Sequence, residues 1–334
     1  MTSSVYSRLA SKHSRLRRRA AGSSFYYYLY GLSVRSRWKL PYPQCSAAAP
    51  PDVELVEVSA IRFQEARRQA APSDPQEWFV HCTLPDGATY LRWLGLYEFL
   101  ISSDGRRISS RCPNGISRES FLVYLLNGAL PFALLQLGFD PLHATVVAVG
   151  DRTIGFLGKS GYGKSTLGGT FLQAGYPVLT DDLLVLKNAP EGFLAYPGAP
   201  RIKLLPEPAA AMLGERMRGV RMNPQTRKLV IPLGRQQSLQ TALPLGILYV
   251  IQFPRNGSNL DGPIRIRRLP PRRALMALIQ NSYNDWLDEP ARLHLQFVQY
   301  ARIAFHVPVK RLSYPRRLDA LPAVRDAILA DLKG

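Results

Sequence analysis

Cysteine is scarce in this chain of 334 residues: Cys45, Cys82 and Cys112 are the three present, and no two form a Cys-x-x-Cys pair. An odd number without that spacing excludes a disulfide framework and a thiolate zinc site, so a reducing, cytoplasmic setting is expected. Histidine is equally thin. His13, His81, His143, His294 and His306 show no His-Glu-x-x-His spacing, which excludes a catalytic zinc centre of that kind. No internal repeat occurs, and the Arg-rich opening lacks the apolar core and cleavage site of a secretory signal. The stretch from Phe121 to Gly138 is uncharged for 18 residues, the lower limit for a membrane span. Asn127, Gly128, Pro131 and Gln136 break it up, so two short buried helices and no membrane association are expected.

Acidic residues are also few, 24 Asp+Glu against 43 Lys+Arg, for a formal charge of +19. With 46% hydrophobic and 20% charged residues, the chain is nevertheless no disordered polycation. The surplus is uneven. Residues 1–40 hold 9 basic and no acidic side chains, 131–200 hold 4 and 5, and 201–334 hold 22 and 9. A basic arm is expected over 1–22, a β-rich segment with a Pro/Ala-rich linker over 23–115, and a catalytic domain over 116–334. The stretch Phe25 to Val34 reads as a strand or hairpin, and Pro41 to Pro75 as irregular. Since residues 131–200 are near neutral, a nucleic-acid partner is not expected, and the downstream basicity points instead to an acidic protein or peptide partner. Oligomerisation is left open.

Within that neutral stretch, Gly158-Lys159-Ser160-Gly161-Tyr162-Gly163-Lys164-Ser165 satisfies Gly-x-x-x-x-Gly-Lys-[Ser/Thr] and is followed by Thr166. With glycine near 7% of average usage, a chance match in a chain of this length is on the order of one in a hundred. Thr153 to Leu157 reads as a strand and Ser165 to Ala174 as a helix stopped by Gly175, the strand–loop–helix setting the motif needs. Backbone N–H groups of such a loop cradle phosphate oxygens at the positive end of the helix, Lys164 neutralises the β/γ charge and Ser165 ligates Mg²⁺. A nucleoside triphosphate, ATP with Mg²⁺, is the implied ligand.

Gly150-Asp151 is a two-residue hairpin signal between two apolar strands, and a turn centred there sets His143 opposite Gly158. Downstream, Asp181 and Asp182 interrupt an apolar strand, Asp181 lying 16 residues beyond Ser165. That strand is expected to lie beside the P-loop strand and parallel to it, with the two carboxylates facing opposite ways. Carboxylates in an apolar strand are expensive unless used. A Leu-Ser-Gly-Gly-Gln helix and an Asn-Lys-x-Asp motif are both missing, which excludes transporter ATPases and weakens a GTPase reading.

The spacing of His143, Gly158, Ser165, Asp181 and Asp182 resembles the HPr kinase/phosphorylase family, related to phosphoenolpyruvate carboxykinase. Two outer segments, Tyr30 to Ser36 and Val307 to Arg316, look more like the HPr-kinase-related proteins that include kinases of lasso-type precursor peptides. The resemblance implies an α/β fold, a mixed sheet flanked by helices around the P-loop, with a small β-rich N-terminal segment. It also implies an ATP- and Mg²⁺-dependent serine kinase. Asp181 and Asp182 would supply the metal contact and the base, with Ser165 and Asp181 at the metal and His143 assisting. Where that family has Leu-Glu-x-Arg-Gly-x-Gly, this chain has Ala195 to Leu205 with no glutamate. Arg201, Lys203, Arg227 and Lys228 are candidates for gripping phosphate or an acidic substrate, although for each of them a solvated surface position is the commoner fate. The rival reading is a nucleotide-binding regulator without transferase activity.

Overall fold

The computed structural model describes residues 24–333 except 48–49, 71–73, 75, 113–116, 215–218, 224–225, 254–261, 285–286 and 288. The expected basic arm over 1–22 lies outside the described residues. Aromatic and β-branched residues form β1 (Phe25–Leu29) and β2 (Leu32–Ser36), an antiparallel hairpin turning at Tyr30-Gly31. Both turn residues have positive φ, 53° and 75°. The chain continues through β3 (Val53–Glu57), α1 (Ala60–Gln69), β4 (Phe79–Thr83), β5 (Thr89–Trp93), β6 (Tyr97–Ile101) and β7 (Arg107–Ser110). These seven strands form one sheet ordered β1-β2-β3-β7-β6-β5-β4, with β3 parallel to both its neighbours. The stretch from Pro41 to Pro75 is therefore not merely irregular. Val53 and Leu55 alternate inward from the middle of the sheet, and burying them outweighs the Pro- and Ala-rich composition around them.

One face of this sheet packs on the uncharged stretch, which is a single continuous helix and not two short ones. It runs through α2 (Arg118–Tyr124), a π-helical segment (Leu125–Ala129) and α3 (Leu130–Gln136). Its Arg118–Gln136 span is long and apolar enough by composition to cross a membrane, but 72% of the apolar window is buried inside the protein. The π segment explains how Pro131 is tolerated. Leu130 N–H reaches back to the Leu125 carbonyl, and the Asn127 carbonyl, which a proline four residues on cannot serve, accepts a hydrogen bond from Tyr283 Oη at 2.5 Å.

The second sheet carries the glycine loop. Its strands are β8 (Leu142–Val149) and β9 (Arg152–Leu157), followed by α4 (Lys164–Gln173), then β10 (Val178–Leu184), β11 (Leu186–Ala189) and β12 (Gly192–Ala195). A separate three-stranded sheet is built from β13 (Arg201–Leu204), β14 (Val220–Arg221) and β15 (Leu229–Pro232), with α5 (Pro206–Leu213) between its first two strands. The chain returns through β16 (Leu243–Ile251), β17 (Arg265–Arg268), α6 (Pro271–Ile279), α7 (Pro290–His306), β18 (Val309–Ser313) and α8 (Leu321–Asp331). The order is β10-β8-β9-β16-β12-β11, with β18 joining β16 to β17. One face is covered by Leu167 and Phe171 of α4 with Val324 and Ile328 of α8, the other by Leu278 of α6 and Tyr300 and Ile303 of α7. Among the described residues this is a mixed α/β architecture of three sheets with helices packed against them.

Candidate functional site

The hairpin β8–β9 pairs Ala144 with Leu157 and Val149 with Arg152, the register that sets His143 beside Gly158. Gly163 takes φ 87° at the N-cap of α4, a conformation glycine adopts without strain, and its carbonyl accepts from Leu167 N–H at 2.8 Å. The Lys164 ammonium is buried and donates to the Gly158 carbonyl at 2.5 Å. Lys159 and Ser160 are exposed at the loop tip, and the Gly161 carbonyl accepts from Arg316 at 2.8 Å. Tyr162 packs at a tilt against Phe253 with ring centres 5.5 Å apart, and Tyr162 and Thr166 line an open cleft with Tyr314 and Arg316. At about 460 Å³ the cleft lies within the roughly 300–1,000 Å³ range of small-molecule sites.

The carboxylate strand takes a different place from the one expected. β10 does not neighbour β9; it lies outside β8 and antiparallel to it, pairing Asp181 with Thr145 and Asp182 with Ala144. Two antiparallel steps restore the direction of β9, so the carboxylates still reach the loop's end of the sheet. Asp181 Oδ1 accepts from Ser165 Oγ at 2.9 Å and from Thr145 Oγ1 at 2.6 Å, while its Oδ2 accepts from Lys203 N–H at 2.8 Å. Nor do the two carboxylates part to opposite faces. Asp182 has φ 79°, which breaks the alternation of the strand, and its carboxylate pairs with the Lys203 ammonium. His143 Nε2 stands 4.0 Å from Asp182 Oδ1.

Arg201 and Lys203 on β13 are buried, against the solvated position common for such residues, because each has a partner. Arg201 donates to Asn127 Oδ1 in the π segment, and Lys203 serves both aspartates. Lys228 acts by charge on His143, Lys164 and Asp182, whereas Arg227 is exposed. Tyr283, edge-on to His143 at 5.6 Å, ties the π segment to this wall. From the other sheet, the Tyr30-Gly31 turn docks here. The Gly31 carbonyl accepts from Lys187 at 2.8 Å, and a Cβ on Gly31 would stand 2.6 Å from the Lys187 ammonium. Thr145, Asn127 and Tyr283 were not foreseen. Thr145, a hydroxyl two residues beyond His143 in an otherwise apolar strand, carried a readable period-two signal.

Burial, followed by the nearby Lys164 charge, lowers His143 to about 4, so its imidazole is neutral at physiological pH. Burial lowers Lys164 to about 8, only partly offset by Asp182 and Asp181. Burial and the neighbouring Asp182 charge push Asp181 up. Burial also acts upward on Asp182, but Lys203 and His143 outweigh it and hold that carboxylate below its usual range. Ser165 Oγ and Asp181 Oδ1 together are hard oxygen donors beside a helix N-terminus. They fit Mg²⁺, which takes one or two protein oxygens and completes its shell with phosphate and water.

No family model matches the chain, and no curated protein matches it in sequence. Among solved structures it is similar to the Hpr(Ser) kinase/phosphatase from Coxiella burnetii, at 10% identity and a TM-score of 0.32, over 58% of this chain and 99% of that one. The likeness is distant and assigns no residue.

Proposed function

We propose that the chain is an ATP- and Mg²⁺-dependent kinase that phosphorylates a serine hydroxyl of a protein or peptide. The observation that carries the reading is the meeting of Ser165 Oγ with Asp181 Oδ1 at 2.9 Å, directly after a glycine loop whose lysine is buried. Mg²⁺, held by Ser165 and Asp181, would neutralise phosphate charge. Loop N–H groups and Lys164 bind and orient the β- and γ-phosphates. The serine oxygen forms its bond to the γ-phosphorus as the bond to the β,γ-bridging oxygen breaks, and ADP carries away the electron pair. Asp182, steadied by Lys203 with the neutral His143 beside it, takes the hydroxyl proton. A loose transition state asks for positioning and charge more than for a strong base.

One observation favours the non-catalytic reading, the ammonium pairing that lowers the basicity of Asp182. Incubation with γ-labelled ATP, Mg²⁺ and serine-containing peptides, acidic ones included, separates the two. The kinase reading expects label on peptide serine, and its loss in Asp182→Asn. Saturable ATP binding with no label on any acceptor, unchanged in Asp182→Asn, would establish the regulator instead.

A further inference from the structure

Two adjacent carboxylates in the same buried wall need compensating charge, and they obtain it differently. Asp181 accepts hydrogen bonds from neutral donors, the hydroxyls of Thr145 and Ser165 and the backbone N–H of Lys203, and among the described residues no lysine or arginine forms an ion pair with it. Asp182 is met by a full cation: among the described residues, Lys203 is the lysine or arginine that pairs with it, and 7% of the lysine side chain and 13% of the aspartate side chain remain exposed. His143, its other close neighbour at 4.0 Å, is neutral at physiological pH. Lys203 has little freedom to leave. Its strand β13 is pinned to β15 by the pair Lys203–Val230, and its own N–H is bonded to Asp181. A divalent cation approaching Asp182 would meet that fixed ammonium, with the charge of Lys228 acting on the same carboxylate.

We infer that Lys203 is a built-in counter-cation that withdraws Asp182 from metal coordination, so that the chain works with one divalent cation, the one held at Ser165 and Asp181. This rests on the nucleotide reading above. The ammonium does for Asp182 what a second metal ion would otherwise do, neutralising and orienting it, and so leaves that carboxylate free to face the acceptor hydroxyl.

The test is a count. Mn²⁺ is titrated into the full chain with a saturating ATP analogue whose β,γ-bridge is an imido group, and bound metal is followed by electron paramagnetic resonance. One Mn²⁺ per chain is expected in the unaltered protein and in Lys203→Arg, and two in Lys203→Met, where Asp182 has lost its partner. Two Mn²⁺ per chain in the unaltered protein would overturn the inference without any variant being needed, as would a folded Lys203→Met that still holds one. Failure of the analogue to bind would overturn the nucleotide reading and this inference with it. Two Mn²⁺ beside bound analogue would overturn the inference alone.

Discussion

On and beside the seven-stranded sheet, Arg35 and Arg107 reach Glu54 and Arg67 of α1 reaches Glu98, with the arginine side chains 41%, 61% and 52% exposed. In the part of the molecule that carries the glycine loop, Lys203 pairs with Asp182 and Arg292 with Asp140 at side-chain exposures of 13% or less. Pairs of the first kind contribute about 0–1 kcal/mol. Those of the second kind lose several kcal/mol per ion to desolvation and regain it only through close geometry. Among the described residues, the two most buried pairs thus stand where charge must be held in place. The Asp140 cluster obeys the same rule at one remove. Ser282, Arg292 and Gln296 satisfy Asp140, and the segment they anchor supplies the Asn281 carbonyl to His143 N–H at 2.8 Å and Tyr283 to the π segment.

The sharpest break of this contrast is to remove one cation from each region. Lys203→Met is expected to lower unfolding free energy by about 3–5 kcal/mol, because it strands a buried carboxylate. Arg35→Met is expected to cost less than about 1 kcal/mol, and urea unfolding compares the two. Next in size, Asp181→Asn keeps the hydroxyl partners but removes the charge that faces Ser165. Phosphoryl transfer should fall by at least about 100-fold, read from initial rates with labelled ATP. Tyr283→Phe leaves the Asn127 carbonyl without its donor beside Pro131. A loss of about 1–3 kcal/mol in thermal or urea unfolding is expected, with the helix otherwise intact by circular dichroism.

A separate effect is in pH. His143 is held neutral down to about 4, so the unfolded chain binds its proton first. Its contribution to stability is complete above about pH 6.5 and is lost as pH falls toward 4. In urea titrations across that window His143→Gln should flatten the slope.

What could be read from the sequence divides along the same line. The β8–β9 register was legible because a two-residue Gly150-Asp151 turn leaves one pairing, a purely local matter. The glycine loop and its helix were legible for the same reason. The place of β10 was not, since inserting a strand outside β8 is decided by packing between residues far apart in the chain. Val53–Glu57 was hidden by its Pro- and Ala-rich surroundings, although its alternation was present. Lys203 was visible as a candidate cation, but its role was not. Its partner lies 21 positions earlier, and nothing local distinguishes a lysine that will be buried from one that will be solvated. The break in alternation at Asp182 was equally silent, as a positive φ at an aspartate leaves no mark in composition.

The roles of Ser165, Asp181, Asp182 and Lys203 all depend on the glycine loop being a nucleotide site, and calorimetric titration of Mg²⁺–ATP into the unaltered chain and Lys164→Ala tests that directly. One ATP per chain is predicted for the unaltered protein, with affinity at least tenfold weaker, by about 1.4 kcal/mol or more, in the variant. No binding to the unaltered chain, or equal binding to both, would contradict it.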